Sequence, residues 1–334
     1  MGQLKRKWLR QGLEDIVLKY VQVKRRETQG TSSILEVHIL KYLNDKFDSE
    51  SRNLEKDRQK GIPIVRILDT FSAEHGIVLA MPAYPCTFHY FKQLARMPDE
   101  TLMEICKSLL GALDFVHSHG VAHLDLNPNN VLVKPLTTGS FVLSLSDFGL
   151  AVFVSQKPSI TGFRGTPDWV APEIAQFQVV KDSAPYGPIP ADLWACGKLL
   201  SAVINLPQED VPPLQSHWVH LHVIQNIIVG GLMHHSPAMR LAACNARNYL
   251  SATWSHVQSP TFRKLVKELR ISTVVHQGLT KNDSSVEAAA GWTRLLNNVM
   301  DFSHQTGVVQ DRTSGKKLRS HILSARHPFP SFHD

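Results

Sequence analysis

The sequence predicts an α+β fold of two lobes: a small, β-rich N-terminal lobe and a larger, mostly helical C-terminal lobe. Three observations predict it. Short apolar runs suited to strands fall within the first 82 residues, beside one helical pattern. A long amphipathic helix follows, and the chain past residue 191 reads as mostly helical. A length of 334 residues suits two domains or one two-lobed unit. At 43% hydrophobic and 19% charged residues the chain can bury a core, which excludes a disordered protein.

Taken in order, residues 13–24 read as a strand around Ile16-Val17-Leu18-Lys19-Tyr20-Val21. Residues 32–44 read as a helix, with Ile34, Leu35, Val37, Ile39, Leu40 and Leu43 apolar. Residues 45–60 are almost wholly polar and read as a solvated loop. Strands follow around Ile64–Phe71 and Ile77–Met81, and Pro82, Pro85 and Cys86 mark an extended connection. From Asp99 to His119 the apolar positions Met103, Ile105, Leu109, Leu110, Leu113 and Val116 share one helical face, and Gly120 stops the helix. Val131-Leu132-Val133 and Phe141–Leu145 predict a hairpin. Trp292–Phe302 is a further candidate helix, and the stretch from Thr306 is polar and basic. The boundaries expected are 1–82 for the N-lobe, 83–255 for the C-lobe and 256–334 for a C-terminal extension.

The net charge is +7, from 36 Lys+Arg against 29 Asp+Glu. That is a basic face on a soluble protein; no basic patch interleaved with aromatics points to nucleic acid. Cys86, Cys106, Cys196 and Cys244 form no CxxC pair, as expected of a reducing compartment. No stretch approaches the roughly 18 apolar residues of a membrane span. Arg6 stands where a myristoylation signal starting at Gly2 requires Ser or Thr. A cytoplasmic or nuclear protein is expected, with no membrane and no nucleic-acid partner. His117-Ser118-His119 and His234-His235 read as surface or capping histidines, because a zinc site needs a fixed group of four ligands.

Three elements carry the chemistry. They are His123-Leu124-Asp125-Leu126-Asn127-Pro128-Asn129-Asn130, then Ser146-Asp147-Phe148-Gly149-Leu150, then Gly165-Thr166-Pro167-Asp168-Trp169-Val170-Ala171-Pro172-Glu173. Asp147 and Asn130 offer oxygens to a hard cation, and the predicted hairpin would hold them near each other. In this order the elements resemble the eukaryotic protein-kinase family over residues 13 to about 255. His123-Leu124-Asp125 is similar to the catalytic-loop triplet and Asp147-Phe148-Gly149 to the metal-binding triplet. Ala171-Pro172-Glu173 resembles the end of the activation segment, Asp192-Leu193-Trp194 the helix that anchors the catalytic loop, and Arg240 the late arginine that pairs with Glu173.

The resemblance implies ATP-dependent phosphoryl transfer to Ser/Thr hydroxyls of a protein substrate, with magnesium. Asp125 would orient or accept the hydroxyl proton, with Asn127 beside it as a second catalytic-loop residue. Asn130 and Asp147 would hold the metal, and Lys19 paired with Glu36 would hold the nucleotide phosphates. Thr166 would contact Asp125, and Leu40, Phe148 and His123 would stack as an apolar column.

The chain also departs from the pattern. Only 18 residues precede Lys19 and contain no GxGxxG, which implies a truncated product or a reduced N-lobe. Asn127 replaces a lysine that contacts the transferred phosphate, an electrostatic contact of ~3 kcal/mol. Leu124 replaces the arginine that grips a phosphorylated activation loop, so the usual activation by phosphorylation is not expected. A docking role for Ser183–Pro188 rests on position alone. The alternatives are a pseudokinase acting as a scaffold or binding module without phosphotransfer, and a small-molecule phosphotransferase; the intact Ala171-Pro172-Glu173 set opposes the second.

Overall fold

A computed structural model describes residues 15–22, 32–51, 62–90, 99–135, 141–180, 184–204 and 224–257. The candidate helix at 292–302, the charged run at 52–60, the segment before residue 15 and the extension past 257 lie outside the described residues. The chain divides into two compact units, Met1–Arg96 with Ser108–Leu199 and Met97–Lys107 with Leu200–Asp334. All the candidate site residues fall in the first.

In that unit, strands β1 (Ile16–Gln22), β2 (Asp69–Ala73) and β3 (Gly76–Pro82) form an antiparallel sheet in the order β1-β3-β2. The register sets Lys19 opposite Leu79 and Val21 opposite Ile77. Leu79 and Ala80, adjacent on β3 and therefore on opposite faces of the sheet, are both completely buried. The sheet starts later than the sequence predicts, since Ile64 and Val65 do not belong to it. Ile64 bridges Leu145 instead, and the Val65 N–H donates to the Leu145 carbonyl at 2.8 Å. An apolar run records burial without naming the partner strand.

Helix α1 (Ser32–Ser51) buries Val37, Ile39, Leu40 and Leu43. It runs seven residues past the predicted end at 44, through sequence that reads as a loop. The added turns carry polar side chains that meet polar partners from elsewhere in the chain. Arg66 grips Asp48 in a two-pronged pair at 2.5 and 2.8 Å. His119 reaches Glu50 at 2.8 Å, while Phe47 packs edge-on against Phe115. Asn44, buried mid-helix, holds the incoming chain by donating to the Val65 carbonyl at 3.2 Å and accepting the Ile67 N–H at 3.2 Å.

Helix α2 (Asp99–Ser118) buries Ile105, Leu109, Leu110, Leu113 and Val116 along one face and ends at Gly120, whose φ is 70°. Strand β4 (Cys86–Thr87) pairs with β6 (Val131–Pro135), so the extended connection expected at Cys86 also forms a short sheet edge. The predicted hairpin forms between β6 and β7 (Phe141–Leu145). Strands β5 (Val121–Ala122) and β8 (Val152–Phe153) pair antiparallel. Helix α3 (Pro172–Ala175) and α4 (Pro188–Ile204) follow.

In the second unit a π-helical turn, Ile224–Val229, leads into α5 (Gly230–Leu232) and then α6 (Ala243–Val257). Ile224, Ile228, Leu232, Ala246 and Leu250 are buried there. No helix among the described residues is long and apolar enough to cross a membrane.

Candidate active site

The loop from His123 to Asn130 is set by one buried carboxylate. Asp192 on α4 accepts the His123 N–H at 2.6 Å on Oδ2 and the Leu124 N–H at 2.7 Å on Oδ1, and His117 Nε2 lies 3.0 Å from Oδ2. These contacts hold Leu124 at φ 64°, a left-handed conformation that costs a leucine about 1–2 kcal/mol. Hydrogen bonds to a buried charge at ~1.5–3 kcal/mol each outweigh that cost. The histidines at 117 and 119 are thus structural bonding partners, at Asp192 and Glu50.

The reversed backbone at Leu124 presents Asp125 to a dense set of donors. Its Oδ1 accepts the Thr166 hydroxyl at 2.6 Å and the Asn127 amide at 3.3 Å, and its Oδ2 accepts the Asn130 amide at 3.0 Å. His123 Nε2 meets the Ser146 carbonyl at 2.9 Å, which places a proton on Nε2 and frees Nδ1 to accept the Asp125 N–H at 3.3 Å. Gly165 makes the approach of Thr166 possible. Its φ is 108°, and a Cβ there would lie 2.9 Å from the Leu124 carbonyl oxygen and 2.7 Å from Val170.

The hairpin brings Asp147 to the same region. Asn130 accepts the Ser146 N–H at 2.9 Å and its hydroxyl at 3.1 Å, so the loop and the end of β7 are fastened together. Asp147 itself is left-handed, with φ 60° and ψ 71°, which turns its carboxylate outward while Phe148 turns fully inward. Phe148 packs on His123 with centroids 4.6 Å apart, and α1 packs on the turn Phe148–Leu150. With Leu40 also buried, the expected apolar column has all three members in the core.

Lys19 joins the two halves. Its ammonium lies 2.6 Å from Glu36 and 2.8 Å from Asp147. Burial by itself would lower the lysine, but its hydrogen bonds to Asp147 and Glu36 hold it above its ordinary range. Burial would likewise raise Asp147, and the Lys19 ammonium overcomes this and holds the carboxyl below its usual range. Both groups are therefore ionised at neutral pH. Glu36 is only 5% exposed, whereas the Asp147 side chain is 50% exposed and open to a ligand.

The Asn130 amide nitrogen is used on Asp125, which leaves its carbonyl oxygen as the donor toward a cation. Asp147 adds an exposed carboxylate, and a hard oxygen set of this kind suits magnesium, which keeps substrate phosphates and water in its shell. The residues present fit magnesium with a nucleotide triphosphate.

The segment after Asp147 is held by hydrocarbon. Leu124, Val152, Ile160, Ile174 and Tyr186 are buried in one cluster with Ala122, Ala171 and Ala191. Ile160 and Tyr186 exchange both backbone hydrogen bonds at 2.9 Å, and the Tyr186 hydroxyl donates to the Gly162 carbonyl at 3.2 Å. Burial pushes the Tyr186 phenol up to about 12. Tyr186 is thus a buried latch. The sequence reading missed this latch; its only signal is an aromatic amid turn residues. It also missed Lys198, which bonds the Asp168 carbonyl and lies 5.9 Å from the Trp169 ring centroid.

A lysine–glutamate–aspartate bridge, an aspartate wired to an asparagine five residues on, and a Gly-Thr to Ala-Pro-Glu segment packed beside them match the arrangement that the sequence resemblance implies. The family model described as the protein kinase domain matches residues 9–272, more than half the chain. The chain belongs to the protein kinase family. It is 28% identical over 169 residues to the phosphorylase b kinase gamma catalytic chain, liver/testis isoform, of Mus musculus, covering 49% of this chain and 40% of that one. It is 40% identical over 94 residues to a calcium/calmodulin-dependent protein kinase type II of Caenorhabditis briggsae, covering 28% and 16%. It is 29% identical over 167 residues to the probable serine/threonine-protein kinase fhkD of Dictyostelium discoideum, covering 48% and 22%. The chain thus spans well under half the length of these relatives.

Proposed function

We propose that this chain is an ATP-dependent protein kinase acting on Ser/Thr hydroxyls, with magnesium. The observation that carries this reading is the Lys19 ammonium held at 2.6 Å from Glu36 and 2.8 Å from Asp147. A fold has no need to leave a half-exposed carboxylate and an ammonium on this spot. Lys19, oriented by Glu36, would hold phosphate oxygens; Asp147 and the side-chain carbonyl of Asn130 would hold the cation. Asp125, oriented by Thr166 and Asn130, takes the hydrogen bond and then the proton of the attacking hydroxyl. Magnesium–ATP, when bound, supplies the transferable phosphoryl group and the charge that screens it. Catalysis then rests on positioning and on charge neutralisation. ATP and a protein substrate are the partners proposed, with no nucleic acid and no membrane. A reducing cytoplasmic or nuclear setting suits the free cysteines at 86, 106, 196 and 244. The division proposed remains an N-lobe over 1–82, a C-lobe over 83–255 and an extension beyond.

Thermal unfolding with ATP, with and without magnesium, tests the site. A ligand at ~100 times its dissociation constant adds roughly 2.7 kcal/mol. The midpoint should rise only with magnesium, and the rise should vanish in Asp147→Asn. Transfer of labelled phosphate to Ser/Thr peptides should fall by ~10²–10⁴-fold in Asp125→Ala; unchanged transfer in that variant would sink the assignment.

A further inference from the structure

Asn127 stands where the resemblance expects a lysine, yet it is no vacancy in the site. It is 4% exposed and uses both ends of its amide. Its Nδ2 donates to the Thr166 hydroxyl oxygen at 3.0 Å, to Asp125 Oδ1 at 3.3 Å and to the Asp125 carbonyl at 3.2 Å. Its Oδ1 accepts the Asn129 N–H at 3.0 Å. The Asn127 carbonyl also accepts the Asn130 N–H at 3.0 Å. One side chain thereby touches Asp125, the activation-segment hydroxyl that bonds Asp125, and the backbone that leads to Asn130.

We infer that Asn127 is a positioning residue, one that fixes the Asp125 carboxylate against Thr166 and makes no use of charge. The inference rests on the kinase reading of this site. Its chemistry follows from the donor count. Thr166 gives its single hydroxyl proton to Asp125 Oδ1 at 2.6 Å, so its oxygen is left to accept, and Asn127 Nδ2 supplies that hydrogen. The Thr166–Asp125 bond is therefore held in one direction, and the second carboxylate oxygen is left to Asn130. A lysine in this position could not also accept the Asn129 N–H, since an ammonium has no acceptor. The asparagine thus fastens the loop on both sides, which a cation would not.

The test uses the full chain and a mixture of basic Ser/Thr peptides as the phosphate acceptor. Two variants separate positioning from mere support of the loop. Asn127→Asp keeps the shape and the acceptor for the Asn129 N–H, but replaces the donor with a carboxylate beside Asp125. Asn127→Ala removes both. If Asn127 positions Asp125, kcat falls in both variants by on the order of 10- to 100-fold, the equivalent of losing one hydrogen bond to a charged group, and the aspartate variant is at least as slow as the alanine. KM for ATP stays within about twofold, because the Lys19 bridge is untouched. Thermal midpoints identify any variant that fails to fold, and the isosteric aspartate then carries the result. An aspartate variant as fast as wild type overturns the inference, as does a loss confined to KM. Wild-type chain that transfers no phosphate, with Asp125→Ala as the matched blank, removes the kinase reading and this inference together. Transfer in wild type with no effect at Asn127 removes this inference alone.

Discussion

The two halves of the site are held by opposite physics. Around Lys19 the chain keeps full charges: an ammonium between two carboxylates, one buried and one half-exposed. Around Leu124 it has exchanged charge for hydrocarbon, and a leucine, an isoleucine and a tyrosine hold the segment from Ala151 to Tyr186. In the first half ionised groups stay at the rim despite the desolvation they suffer, as the proposed binding of a charged ligand requires. The second half meets other parts of the same chain, and apolar burial holds it without any added group. A leucine cannot bind phosphate, so this segment is ordered by its own core and by the Ile160–Tyr186 bridge.

That contrast can be broken from either side. The largest effect is expected from Leu124→Arg, which places a guanidinium among buried apolar groups and should cost ~3 kcal/mol or more. Amide exchange at Ile160 and Tyr186 should speed up in that variant, and unchanged protection would mean that hydrocarbon does not hold the segment. Next comes Lys19→Met, which leaves Glu36 buried without its cation and should cost ~1–3 kcal/mol in chemical denaturation. The same change should abolish the magnesium–ATP shift while leaving exchange at Tyr186 as it was.

Tyr186→Phe removes one hydrogen bond and should cost only ~0.5–1.5 kcal/mol, read as faster exchange near Gly162. Smaller still is the pH response of the charged half. Asp147 is held below its ordinary value of 3.8, so its contribution is complete above that pH and is lost as pH falls through the depressed value. Lys19 is held above 10.5, so its contribution is complete below that pH and is lost as pH rises through the raised value. Thermal midpoints from pH 3 to 11 should therefore show a plateau between these limits, within the broader titration of the molecule. Asp147→Asn should flatten the acid edge and leave the Leu124 cluster unaffected. An acid edge identical in the variant would show that the Lys19 pair adds nothing to stability, as exposed pairs often do.

Much of this was legible before any coordinates. The strand carrying Lys19, the helix carrying Glu36 and the hairpin between Asn130 and Asp147 follow from apolar runs and periodicity, because each is a local pattern in the sequence. The last seven residues of α1 were not legible. Asp48 and Glu50 look like loop residues until Arg66 and His119 arrive from elsewhere to meet them. The sequence places Ile64 in one strand with Phe71, whereas that strand starts at Asp69, for a related reason: burial shows in composition, but the partner does not.

The sequence by itself determined the family, through the order of His123-Leu124-Asp125, Asp147-Phe148-Gly149 and Ala171-Pro172-Glu173, and it determined which residues could carry charge or bind a cation. Tertiary structure alone decided what two of the substitutions mean. Leu124 reads as a lost arginine until Tyr186 and Ile160 close around it. Asn127 reads as a lost lysine until Thr166, 39 residues away, completes its hydrogen bonds. The physical reason is range: periodicity and capping act over a few residues, whereas a buried polar group is satisfied by whatever the folded chain brings within about 3 Å.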